Sequence, residues 1–306
     1  MPTFLVTAAT GRQGQSTAQI LLASGAQINA LVRDPTAPQS VALQKLGARL
    51  FKGSLKDAAA VAAATEGVSA VFLNTFPDFE NPLGELPQAE NAIAAAKAAG
   101  TVQSIVASTV VGANDVDDWT TIAGEFPFLA RYYTSKSSVE RAVRDSGFQY
   151  TILRPGMLFH NFIGDAVRFS FPDYPKERVL TVSYPAEYRL QQFDAADVGQ
   201  VAAKALLDPR GFAGREIDLH HEPLTFKEIA QRLSAAAGTE IKVRYRSEEE
   251  TREATKTLPA LEVQVWWPRS NKSDTTELQK LGLRLTTFEE FLEREKVALR
   301  KTLNLE

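Results

Sequence analysis

Six short runs of aliphatic and β-branched residues recur through the first half of the chain, at 4–7, 28–33, 49–52, 70–73, 104–107 and 150–153. Ala-rich amphipathic segments separate them, near 14–24, 39–46, 57–65, 85–99 and 134–146. Continuous apolar runs of this length suit strands buried on both faces. Alternation with helices at this spacing predicts a parallel sheet with helices on both sides. The expected fold is therefore α/β, a doubly wound parallel sheet over residues 1–155. After Pro155 the pattern breaks into an aromatic, irregular stretch with strands near 190–193 and 240–245. Helices follow Asp194 through about Leu207, and then at about 224–237, 274–281 and 287–301. Residues 156–306 are expected to be mainly a smaller α+β substrate-binding cap, with 189–218 returning to the sheet.

Composition removes several classes of function. The 34 Lys+Arg nearly balance 37 Asp+Glu, a net charge of −3. That balance offers neither nucleic acid nor an anionic membrane an electrostatic footprint. There is no cysteine, which excludes disulfides, thiolate metal sites and a cysteine nucleophile. The three histidines, His160, His220 and His221, show no HExxH spacing, so no metal site is expected. No run approaches the ~18 apolar residues of a membrane span, and the N-terminus lacks a signal-peptide pattern. The expectation is a cytoplasmic protein acting on a small molecule.

The first strand runs into Thr7-Ala8-Ala9-Thr10-Gly11-Arg12-Gln13-Gly14 and then into a helix. Ala8, Gly11 and Gly14 have the spacing of a dinucleotide-binding loop, with Ala in the first glycine position. Such a loop needs close approach of backbone to a diphosphate, with the helix N-terminus facing the anion. Thr10, Arg12 and Gln13 complete the turn. Arg33, at the end of the second strand, stands where a residue would meet the adenosine ribose. A guanidinium there matches a 2′-phosphate in a bidentate fork and favours NADP(H). Asp34, if turned inward, would suit NAD(H) instead.

The segments 7–14, Leu31-Val32-Arg33-Asp34-Pro35, Ile152-Leu153-Arg154-Pro155-Gly156 and Asp194-Ala195-Ala196-Asp197-Val198-Gly199 occur in an order that resembles the NmrA-like group of atypical short-chain dehydrogenases/reductases. The resemblance implies a Rossmann domain with NAD(P) and a smaller substrate domain. It does not imply one activity, because such families hold quinone, imine and phenylpropanoid reductases beside regulators that bind NADP with little turnover.

Tyr132 and Lys136 form a Tyr-x-x-x-Lys pair, one turn apart on a helix. An ammonium beside a phenol stabilises phenolate and is expected to lower its pKa, which makes Tyr132 a general acid for a carbonyl oxygen. The resemblance gives Lys136 a second role on the nicotinamide ribose. It also implies a hydroxyl at the end of strand five that bonds the substrate oxygen, Thr109 first and Ser108 second. Thr75, Phe76 and Pro155, at strand C-termini, are expected against the cofactor. Trp119, Phe159, His160 and Asn161 are expected at the substrate pocket, and 112–131 is a candidate lid. Asp197 reads as a cap or a structural hydrogen bond.

The leading reading is an NADPH-dependent reductase of an apolar or aromatic carbonyl, quinone or imine. The alternative is an NADP-binding redox sensor that works through a partner protein. A non-redox enzyme with a structural nucleotide is a third reading. The sequence leaves the oligomeric state open.

Overall fold

A computed structural model describes residues 1–78, 81, 84–270 and 273–305. The strands are β1 (Thr3–Val6), β2 (Gln27–Val32), β3 (Arg49–Lys52), β4 (Ala70–Asn74), β5 (Ser104–Ser108), β6 (Gln149–Pro155), β7 (Met157–Leu158), β8 (Val179–Val182), β9 (Gln192–Phe193), β10 (Arg215–Leu219) and β11 (Lys242–Tyr245). Helices α1 (Arg12–Ala23), α2 (Pro38–Lys45), α3 (Ala58–Thr65), α4 (Leu86–Ala99) and α5 (Pro127–Arg144) connect the first six. Beyond them lie α6 (Val167–Ser170), α7 (Tyr174–Glu177), α8 (Ala195–Leu207), α9 (Phe226–Ala237), α10 (Glu248–Thr255), α11 (Glu262–Ser270), α12 (Thr276–Gln279), α13 (Phe288–Arg294) and α14 (Lys296–Thr302).

Seven strands form one parallel sheet in the order β3-β2-β1-β4-β5-β6-β10. The order reverses between β1 and β4, so the crevice beyond their C-terminal ends is where an open α/β sheet receives a ligand. Both faces are buried, as the unbroken apolar runs require: Leu5, Val6, Val71, Phe72 and Ile105 are all within 1% of full burial.

Residues 195–219 give the sheet a helix and its seventh strand. Asp194 caps α8, accepting the Ala196 N–H at 3.0 Å. This helix lies tightly on α1. A Cβ on Gly199 would sit 2.6 Å from Ser16 Cβ and 2.8 Å from Thr17 N, so only glycine lets the two backbones meet. Ser16 donates across the seam to the Ala196 carbonyl at 3.0 Å. Asp197 bonds Thr286, accepting its N–H at 2.7 Å, and fastens the chain before α13 to α8.

The remaining C-terminal residues enclose a second core built from aromatic rings. Phe159 packs on Phe288 and Phe291 at 5.1 and 5.3 Å, and Phe162 stacks on Phe171 at 5.3 Å. Each buried phenyl contributes about 2–3 kcal/mol by removing its surface from water. Two small parallel pairs, β7 with β9 and β8 with β11, frame this core.

Three elements depart from the sequence reading. Helix α5 begins at Pro127, seven residues before the expected start at 134, because proline at the first turn sacrifices no helical bond. The candidate lid 112–131 is correspondingly short, and its Trp119 is 2% exposed in a small core with Tyr133. The expected helix at 287–301 is two helices, α13 and α14, broken at Glu295. No helix among the described residues is long and apolar enough to cross a membrane.

Candidate active site

The turn between β1 and α1 is built for close approach. Ala8 takes a left-handed conformation with φ +47°, the geometry for which glycine is the usual residue. The Gly11 N–H folds back onto the Ala8 carbonyl at 2.8 Å. A Cβ on Gly14 would collide with the Ala8 carbonyl oxygen and lie 2.9 Å from the Thr7 oxygen, so α1 seats against the strand end only with glycine there. Helix α1 has Gly11 at its N-cap, with no side-chain cap, and carries no acid in its first turn. Its first amides are therefore unclaimed by side chains, and the helix dipole favours an anion at this end. Arg12 and Arg33 are exposed and have no ion-pair partner among the described residues. Asp34 is turned away: its carboxylate accepts the Thr36 N–H at 2.8 Å and the Thr36 hydroxyl at 2.6 Å. Those bonds hold its pKa below the usual aspartate value.

A cleft of about 410 Å³ opens beyond the strand ends. Gln13 brings the glycine turn to it. Asn74, Thr75 and Phe76 come from β4 and its exit, Thr109 follows β5, and Pro155 ends β6. Tyr132 and Lys136 reach it from α5, while Gln264 and Trp267 close it from α11. The sheet thus brings together residues drawn from 13 to 267 in the chain.

Lys136 is buried beside an acid that the sequence reading missed. Its Nζ lies 2.8 Å from Oε2 of Glu85, whose side chain is fully buried. Thr75 donates its hydroxyl to the same oxygen. The Glu85 N–H in turn donates to Ser135 Oγ at 2.8 Å, which ties this segment to α5. Lys136 also sits over the Tyr132 ring, 5.7 Å from its centroid. Burial alone would lower the ammonium pKa, but Tyr132 and Glu85 outweigh it and hold Lys136 above the ordinary lysine value.

The phenol behaves differently from the sequence expectation. Burial is the largest influence and raises the Tyr132 pKa; Lys136 pulls it down, and Glu85 pushes it up again. The net shift is upward, because burial, helped by Glu85, outweighs the Lys136 charge. Tyr132 therefore stays protonated at neutral pH, and its hydroxyl has no hydrogen-bond partner among the described residues. Neighbouring Tyr133 is committed instead. It donates to the Val111 carbonyl at 3.1 Å and accepts from Trp267 Nε1 at 2.7 Å.

The other expected site residues divide sharply. Ser108 donates to Gln13 Oε1 at 2.7 Å, locking the glycine turn to β5. Thr109 donates to Glu140 Oε1 at 2.7 Å, so its proton points away from the cleft. Glu140 is gripped in turn by the two-pronged guanidinium of Arg154, at 2.9 and 2.8 Å. Phe76 is 76% exposed at the mouth, its backbone clamped by the Gln88 amide. Asn161 borders the cleft. Trp119, Phe159 and His160 do not: Trp119 stacks on Tyr133 at 4.3 Å, Phe159 is fully buried in the aromatic core, and His160 packs edge-on against Phe291 at 4.8 Å. Aromatic residues in an irregular segment have no periodicity that marks which face turns inward, so the sequence had no basis for separating them.

The all-parallel sheet, its reversal at β1 and β4, and the glycine turn at that point define a Rossmann-type α/β protein. The model of the NmrA-like family matches residues 2–292, and the chain belongs to that family. It is similar to the NAD(P)H azoreductase of Xenophilus azovorans, with 28% identity over 244 residues, 78% of this chain and 75% of that protein. Its fold matches the NADPH-dependent quinone oxidoreductase QOR2 of Escherichia coli in complex with NADPH, at TM-score 0.73 and 23% identity over 96% of this chain and 99% of that one. It equally matches NmrA, a negative transcriptional regulator, in complex with NADP, at TM-score 0.76 and 21% identity over 100% and 98% of the two chains.

Proposed function

We propose that the protein is an NADPH-dependent reductase of an apolar or aromatic carbonyl, quinone or imine. The observation that carries this reading is the meeting of the glycine turn, through Gln13, with Tyr132 and Lys136 in one cleft. The residues fit the nucleotide. The β1–α1 turn excludes a Cβ at Gly14 and offers its amides to a diphosphate, and Arg12 and Arg33 are uncommitted cations for a 2′-phosphate. The azoreductase and quinone oxidoreductase among its relatives support the same class of chemistry. When bound, NADPH supplies a hydride to the substrate.

The chain's own residues supply the proton and the shape. Tyr132 holds its proton on the phenol oxygen until negative charge develops on the substrate oxygen or nitrogen, and then donates it. Lys136 favours the resulting phenolate at close range, with Glu85 keeping the ammonium in place. Tyr184, Trp267 and Phe171 offer flat apolar surface to the substrate and exclude water. In this reading residues 1–155 with 189–218 carry the nucleotide, and the rest of 156–306 shapes the substrate pocket.

The test is to identify the nucleotide retained on purification and to follow NADPH absorbance with a panel of quinones, aryl ketones and imines. Turnover by the wild type, lost in Tyr132→Phe with nucleotide still bound, supports the reading. Tight NADPH binding without consumption by any of the panel would overturn it in favour of a sensor or a structural nucleotide.

A further inference from the structure

We infer that Gln264 is a specificity-determining residue, a fixed hydrogen-bond donor that selects substrates carrying an acceptor on an otherwise aromatic body. This deepens the reductase reading and rests on it for the word substrate; the binding preference itself does not need turnover.

The argument begins with hydrogen-bond accounting. Gln264 on α11 is 4% exposed and lines the cleft. A buried amide has two distinct ends, an oxygen that accepts and a nitrogen that donates. Here the ends are assigned by the backbone: the Ser183 N–H donates to Oε1 at 2.7 Å, and only an oxygen can receive it. The nitrogen must then face the other way. Nε2 has no hydrogen-bond partner among the described residues, yet it is not sealed in the core, so its donors meet the space of the cleft.

Several neighbouring polar groups are already engaged. Trp267 Nε1 is spent on Tyr133, and the Tyr133 hydroxyl on Val111. Thr75 and one N–H of the Lys136 ammonium are bonded to Glu85, and Thr109 to Glu140. Asn161 also borders the cleft, but nothing fixes which way its amide faces. Gln264 therefore presents a donor of fixed sense, in a cleft that also holds the Tyr132 hydroxyl, unpartnered among the described residues, and the Gln13 amide, whose Oε1 is fixed by Ser108. A buried donor that finds no acceptor on the ligand loses its hydrogen bond to water without replacement. A ligand bearing a carbonyl or ether oxygen at that point is favoured over its hydrocarbon counterpart, and a ligand presenting only an N–H donor, such as an indole, is not favoured in the same way.

The experiment measures binding, with NADP⁺ present so that no hydride is consumed. The probes are 1,4-naphthoquinone, which carries acceptors, indole, whose N–H is a donor with no acceptor lone pair, and naphthalene, which carries neither. The absence of cysteine removes the thiol adducts that complicate quinone titrations. Gln264→Met should weaken naphthoquinone binding by about 10–100-fold and leave naphthalene within about twofold. Gln264→Glu keeps an oxygen for the Ser183 N–H and, at a pH where the carboxyl is ionised, replaces the donor with an acceptor; a thermal melt checks that the fold is kept. This variant should weaken naphthoquinone and strengthen indole. Equal loss of all three probes in both variants, or a wild type that does not prefer naphthoquinone to naphthalene, overturns the inference. If the preference and its reversal are seen but no substrate consumes NADPH, the reductase reading fails and the role of Gln264 in binding stands.

Discussion

Glu85 and Lys136 form a buried ion pair, Nζ to Oε2 at 2.8 Å, that joins the segment before α4 to the middle of α5. The pair fixes the lysine over the Tyr132 ring and offsets the charge that would otherwise act fully on the phenol. Removing one member leaves the other charge buried and unmatched, which costs about 3–5 kcal/mol. Glu85→Gln should therefore lower urea stability by that order, and Lys136→Met should do the same. The double variant should recover much of the loss, since no lone charge remains. Additive losses in the double-mutant cycle would show that the two residues do not depend on each other.

His160 supplies a pH dependence with a defined sign. Burial first, and then the Arg12 charge, lower its pKa from 6.5 to about 4. In the unfolded chain the imidazole regains its ordinary value. Above pH 6.5 neither state binds the proton, and the full stability is present. As pH falls from 6.5 to 4 the unfolded chain takes up a proton that the folded one refuses, so stability is lost, in total about 3 kcal/mol. Urea denaturation across this window should show the decline, and His160→Gln should flatten that part of it.

The glycine turn predicts opposite outcomes for two neighbouring substitutions. Gly14→Ala forces a methyl group into the Ala8 carbonyl, and the backbone must shift. Stability should fall by about 1–3 kcal/mol, and NADPH affinity should fall with it. Ala8→Gly relieves a left-handed alanine at a cost in chain entropy. It should leave nucleotide binding intact and change stability by no more than about 1 kcal/mol. Calorimetric titration with NADPH and thermal melts check both.

The proposed role of Arg33 is to distinguish NADPH from NADH. Its guanidinium has no ion-pair partner among the described residues, while Asp34 is held by Thr36. Arg33→Ala should weaken NADPH about 10–100-fold, the worth of a charge-assisted bidentate contact, and leave NADH within about twofold. A wild type that binds the two equally would remove the role given to Arg33.

Much of this architecture could be read in the sequence, and the reasons are local. Buried parallel strands declare themselves as short apolar runs, and the β1–α1 turn needs small residues at 8, 11 and 14 wherever it occurs. Asp194 reads as a cap because its side chain bonds a backbone N–H two residues away. Strand β10 was harder. Its Arg215-Glu216-Ile217-Asp218-Leu219 looks too charged for a sheet, until Arg144 and Arg154 come from other elements to neutralise Glu216.

The sequence by itself determined the sheet, the glycine turn and the Tyr132–Lys136 pair, because each depends on side-chain period or on residues within one turn. Only the tertiary structure decided which aromatic rings line the cleft, that Glu85 holds Lys136, and that Gln264 faces inward with its nitrogen. The last two depend on contacts between residues 51 and 81 positions apart. No local pattern encodes them, since the same side chain is a solvated acid, a cap or a buried partner according to what the fold places opposite it.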